Sequence, residues 1–139
     1  MMKTGVFFIS LFGVLALMIT AGANATGPDH PAVSYTLTSE MKGEKRLFVG
    51  AGGKIKGMVN PDLFVNEWDV VEITLINGDN LNHHIAIPNF HILSETVSEK
   101  GKKTTITFVP FKSGGFAYYC LLDNHRALGM EGKIVVVKK

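Results

Sequence analysis

The chain carries a single cysteine, Cys120, among 139 residues. No internal disulfide can form, so Cys120 is a buried thiol, an intermolecular bridge, a reactive thiol or a metal ligand. An excess of charge of one sign is also missing. Lys3 is the only charged residue in the first 25, so 13 of the 14 basic residues and all 12 acidic ones lie beyond it. Such a balance argues against nucleic acid as a partner. It also predicts weak long-range steering, so docking to another protein has to rest on a local patch. No internal repeat, low-complexity tract, linker-like stretch or convincing amphipathic helix is present, and one domain is expected.

The long apolar run is confined to residues 6–21, which is short for a membrane span of roughly 20 residues. Lys3 precedes it and Ala23-Asn24-Ala25 follows it, the form of a secretory signal peptide. Residues 1–25 are read as that leader, and residues 26–139 as the mature domain. Retention of the leader as an N-terminal anchor is the alternative, and the only route to a membrane. No lipobox cysteine is present. The expected location is the periplasm or another extracytoplasmic space.

After a loose segment holding Gly27, Pro28 and Pro31, the pattern is strand-like. Tyr35 to Thr38 alternates, Arg46 to Val49 is a short apolar run, and Asp69 to Ile76 mixes β-branched residues with alternation. Further strands are expected at His83 to Ile87, Lys103 to Val109, Gly115 to Cys120 and Gly132 to Val137. Turn signals separate the runs, including Gly50-Ala51-Gly52-Gly53, Asn60-Pro61-Asp62, Asn77-Gly78-Asp79-Asn80 and Ser113-Gly114-Gly115. Residues 90–97 fit either an irregular loop or a weak strand. The whole reads as an all-β, antiparallel two-sheet sandwich of about seven or eight strands. Lys100, Lys102 and Lys103, and the terminal Lys138 and Lys139, are expected on solvated edges.

Chemistry concentrates in residues 118–130, where Cys120, His125 and Met130 follow the spacing Cys-x4-His-x4-Met. Alternation puts Phe116, Tyr118 and Cys120 on one face, expected to be the core face, and Asn124 and Gly129 supply turns that fold His125 and Met130 back toward the sulfur. Thiolate and thioether favour Cu(I), imidazole accepts both oxidation states, and a weak methionine tunes the potential. Zinc is the rival metal, and it rarely takes a thioether. A second imidazole can come from His83 or His84. If Ile85 and Ile87 face the core, His83 shares their face, while His84 turns outward to solvent or to the outer layer of the site. A lone cysteine is more often a structural thiol and a lone methionine core filler, but the spacing of the donors reverses that preference. His30 and His91 have no evident partners and are expected on the surface. Tyr118 is expected in the core with its hydroxyl bonded.

The runs NGDNLNHHIAIPN and GGFAYYCLLDNHRALGMEGKIVV resemble the cupredoxins, the small blue copper proteins of plastocyanin and azurin type, over about residues 48–137. The loop spacing is similar to that of auracyanin-type single-domain members and of the cupredoxin domain fused to some copper nitrite reductases. The resemblance implies a Greek-key sandwich and one type 1 copper ion, with His83, Cys120 and His125 as strong ligands and Met130 as the long axial one. The related binuclear copper domains of nitrous-oxide reductase and cytochrome oxidase use two cysteines, and the second is absent here. Many cupredoxins carry Asn or Asp after the first ligand histidine, where this chain has His84.

The resemblance further implies that His125 reaches the surface within an apolar patch, for which Leu121, Leu122, Ala127 and Leu128 are suited. The expected function is single-electron transfer by a monomer that is not itself an enzyme, with a c-type cytochrome or a membrane redox complex as partner. Two other roles compete: an electron-donating copper subunit of a nitrite-reducing or oxidase complex, and a copper storage or delivery protein. The third is weakened because Met1, Met2 and Met18 lie in the leader.

Overall fold

In a computed structural model, residues 33–139 are described; the leader, its cleavage point and His30 lie outside them. Nine strands form, numbered β1 (Val33–Lys42), β2 (Lys45–Gly50), β3 (Asp62–Asn66), β4 (Val71–Ile76), β5 (Ala86–Ile87), β6 (Ile92–Leu93), β7 (Lys103–Phe108), β8 (Gly114–Tyr119) and β9 (Glu131–Val137). They build a four-stranded sheet in the order β2-β1-β4-β7 and a five-stranded sheet in the order β3-β9-β8-β5-β6.

Period-2 patterning explains how the sheets face each other. Val71, Ile73 and Leu75 of β4 are buried, as are Ile106 and Phe108 of β7, while the residues between them look outward. Leu63 and Val65 of β3 and Ile134 and Val136 of β9 answer from the other sheet. Tyr118 is fully buried beside Phe48, and its hydroxyl donates to the Pro61 carbonyl at 2.8 Å, so its polar end is satisfied inside the core.

Two expectations need correction. The sheets are mixed, because β1 runs parallel to β4 and β3 parallel to β9. Among the described residues the strands also number nine, because β3 follows the Pro61 turn at once and β6 is only two residues long. Residues 90–97 turn out to be both things at once: a short helical turn, Pro88–Phe90, then β6 and an irregular run.

The parallel pairing of β1 with β4 matters for the site. It brings the C-terminal half of β1, the end of β4 and the start of β7 to one pole of the sandwich. The turn after β4, the chain entering β5 and the loop between β8 and β9 meet there.

Candidate copper site

Two loops build the site. The first begins at Asn77, a buried side chain that acts as a four-way tie. Its Nδ2 donates to the carbonyls of Leu81 (2.7 Å) and Val97 (3.0 Å), and its Oδ1 accepts from the Asp79 amide (2.9 Å) and the Ser39 hydroxyl (3.4 Å). Gly78 is required beside it, because a Cβ there would collide with the Ser39 carbonyl. The chain then enters β5 through an isolated bridge in which His83 exchanges both backbone hydrogen bonds with Val97, at 3.0 and 2.8 Å.

The second loop joins β8 to β9. Its ends are pinned by Cys120 N–H donating to Met130 O (3.2 Å) and Met130 N–H donating to His125 O (2.9 Å). Asp123 and Asn124 sit in the left-handed region, and Gly129 has φ +109°, so the loop closes through turn chemistry that Asn and Gly tolerate. From outside, Arg46 N–H donates to Leu128 O (3.1 Å) and Asn60 Nδ2 to Gly129 O (2.8 Å). Arg126 lies 3.7 Å over the Tyr119 ring and makes two bonds to Glu131, at 2.6 and 3.0 Å. Tyr119 and Glu131 are register partners where the loop leaves and rejoins the sheet, so Arg126 spans its base.

Together these loops bring His83, Cys120 and His125 into one cluster whose ligand atoms all lie within 4.8 Å of one another. Cys120 Sγ is 3.6 Å from His125 Nδ1, and the two imidazole rings stand 5.0 Å apart. His83, Cys120 and Met130 are fully buried. His83 bonds through Nε2 to Asp79 Oδ1 at 2.8 Å, while its Nδ1 is buried with no hydrogen-bond partner. A buried imidazole nitrogen without a partner is costly unless something else takes its lone pair. A metal ion held with Cys120 and His125 would supply that partner, so the residues present fit the cofactor the sequence implies.

The electrostatics agree. Burial pushes the Cys120 thiol up from its ordinary value, opposed by hydrogen bonds from the backbone amides of His84 and Leu122. Those same amides suit a sulfur that becomes a thiolate when it binds metal. Burial also lowers His125, and His83 and Arg46 add to that effect. The lowering favours the neutral imidazole, whose lone pair is free to coordinate.

Met130 is in the core with its backbone tied to Cys120 and His125, which puts it in the same loop as the cluster. The outward turn to solvent expected for His84 does not occur: the residue is 6% exposed. The regular strand begins only at Ala86, and Ile85, Ala86 and Ile87 are all buried, so alternation cannot sort the two histidines. His84 instead lies buried next to His83 in the chain, and burial lowers its imidazole below the ordinary histidine value. His91, in a left-handed turn, is exposed as expected. His125 is only 3% exposed, and does not reach the surface as the resemblance implied. The loop around it offers exposed Leu121 and Ala127, with Leu122 and Leu128 half-buried. Asp79, Asn77 and Asn60 went unnoticed in the sequence. The only signal for them was their position in turn motifs, which any hairpin shares.

A sulfur and two imidazoles gathered at one pole of a two-sheet sandwich define a small β protein built to hold a soft or borderline metal ion. The model of copper binding proteins of the plastocyanin/azurin family matches residues 43–137, and the chain belongs to that family. Its three close donors form a potential site for a single copper ion. Among solved structures, auracyanin B is similar at 14% identity with a TM-score of 0.57, over 78% of this chain and 91% of its own. Rusticyanin from Thiobacillus ferrooxidans is 23% identical, with a TM-score of 0.55 over 75% of this chain and 76% of its own. Copper nitrite reductase from Nitrosomonas europaea is 26% identical, with a TM-score of 0.60 over 77% of this chain and 41% of its own. The likeness there is to part of a larger protein. No curated protein sequence matches the chain.

Proposed function

We propose that this chain is an exported type 1 copper protein that passes single electrons between redox partners and is not itself an enzyme. The observation that carries the reading is the buried cluster of His83, Cys120 and His125, with one imidazole nitrogen left without a partner. Met130 is proposed as the weak axial ligand, since it is buried within the same pinned loop. Copper held there supplies one-electron exchange between Cu(II) and Cu(I).

The protein's share of the work is to hold its donors still. Asn77 and the Val97 bridge fix His83, and the ties from Arg46 and Asn60 fix the loop that carries His125. Donors locked by such bonds move little when charge changes, which keeps reorganisation small. Burial keeps water from the sulfur. Leu121, which is 57% exposed, and Ala127 are proposed as the rim on which a partner docks briefly, in the manner of small transient interfaces. A c-type cytochrome or a membrane redox complex is the proposed partner, met by a monomer in the periplasm or another extracytoplasmic space.

A donor subunit for a nitrite-reducing enzyme is the second reading, supported by the likeness to part of a copper nitrite reductase. Stopped-flow mixing of the reduced protein with an oxidised c-type cytochrome tests the first. Reoxidation at a rate proportional to cytochrome concentration is expected. No exchange with cytochrome, alongside nitrite turnover by the purified chain, would overturn it.

A further inference from the structure

The carboxylate of Asp79 is built into the site more firmly than a surface acid would be. Its Oδ1 accepts from His83 Nε2 at 2.8 Å and from the Leu81 amide at 2.8 Å, and its backbone amide donates to Asn77 Oδ1 at 2.9 Å. Its side chain is 13% exposed, and Oδ2 is buried without a partner. Among the described residues, the one basic group it pairs with is His83 itself.

Two consequences follow from elementary chemistry. An imidazole that donates through Nε2 carries its lone pair on Nδ1, which in His83 is buried with no hydrogen-bond partner, so the carboxylate selects the tautomer whose free nitrogen is able to ligate. Its charge also completes a balance. The Cys120 thiolate and the Asp79 carboxylate together carry two negative charges, enough to neutralise a divalent ion. Reduction adds one electron and no proton, and leaves one negative charge uncompensated in a poorly solvated place.

We propose that Asp79 is a positioning and potential-setting partner of His83: it presents Nδ1 to the metal and favours the oxidised state, lowering the reduction potential. The inference deepens the copper reading and rests on it. Asp79→Asn keeps an oxygen for His83 and Leu81 but removes the charge. Asp123→Asn is the control, because Asp123 also acts electrostatically on Cys120 and His125 but is exposed and makes no side-chain bond to a ligand.

The experiment has two arms. Long-range nitrogen–proton NMR of the metal-free wild-type protein is expected to show His83 protonated at Nε2, a readout that needs no copper and no variant. Potentiometry of the copper-loaded proteins is expected to show a higher potential in Asp79→Asn than in wild type, by more than Asp123→Asn produces. Its Cu(II) affinity should fall roughly 10- to 100-fold, with Cu(I) affinity changing less. Protonation at Nδ1, or a potential shift no larger than the control's, would overturn the inference. Wild-type protein that binds no copper would instead defeat the reading beneath it, while the tautomer still decides what Asp79 does to His83.

Discussion

Replacing Asn77 by alanine should cost the fold far more than its place in a surface turn suggests. The side chain is buried and makes three short hydrogen bonds, at 2.7, 2.9 and 3.0 Å, besides the longer one from Ser39. Alanine leaves two carbonyls and an amide without their partner, each worth about 1 kcal/mol net, so the expected loss is about 3 kcal/mol. With a urea slope near ~1.5 kcal/mol per molar, the midpoint of the metal-free protein should fall by about 2 M. Thermal unfolding should move by roughly 4 °C per kcal/mol lost. Asn77→Asp should do no better, since it sets carboxylate oxygen against the carbonyls of Leu81 and Val97. Copper affinity should fall in both variants, because the bridge that holds His83 to Val97 loses its support. A loss under about 1 kcal/mol for Asn77→Ala would refute the reasoning, because no orphaned group of this kind is so cheap.

Other outcomes follow from the same geometry. Gly132→Ala should destabilise the metal-free protein by about 1–3 kcal/mol in urea, because its Cβ would strike the Tyr118 ring. Gly52→Ala, with open space around it, should stay close to wild type. Burial raises the Cys120 thiol, so at pH 7–8 it is protonated without metal and must release that proton on binding; competition titration should show Cu(II) affinity rising about tenfold per pH unit. A flat profile would mean that the thiolate is not a ligand. Leu121→Lys should slow electron exchange with a cytochrome while leaving the visible spectrum unchanged, and an unaltered rate would remove this rim as the docking face.

The cysteine loop was the most legible part of the sequence. Cys120, His125 and Met130 lie within one short segment, so their spacing records the local turn that gathers them. The alternating strands were legible for a similar reason: Val71, Ile73 and Leu75 declare a buried face without reference to the rest of the chain. The histidine pair was harder. Period-2 reasoning preferred His83, whose ligand atom the structure brings to Cys120 and His125, but it turned His84 outward where no regular strand exists. Asp79 was invisible because its meaning depends on a bond across four residues to a ring whose orientation no pattern encodes. Asn60 and Asn77 read as ordinary turn formers, and their ties to residues 129 and 97 are long-range contacts. β3 escaped because Asn60-Pro61-Asp62 reads as a turn, although the strand begins within it at Asp62.

The most direct measurement is the optical spectrum of the purified chain after one equivalent of Cu(II) is added, beside that of Cys120→Ser. If His83, Cys120 and His125 share one ion, the wild-type protein will show an intense visible sulfur-to-copper charge-transfer band that saturates at one copper per chain. The serine variant will lack it. A wild-type protein with only the weak absorption of nitrogen- and oxygen-bound Cu(II), or a band that survives in Cys120→Ser, would contradict the assignment.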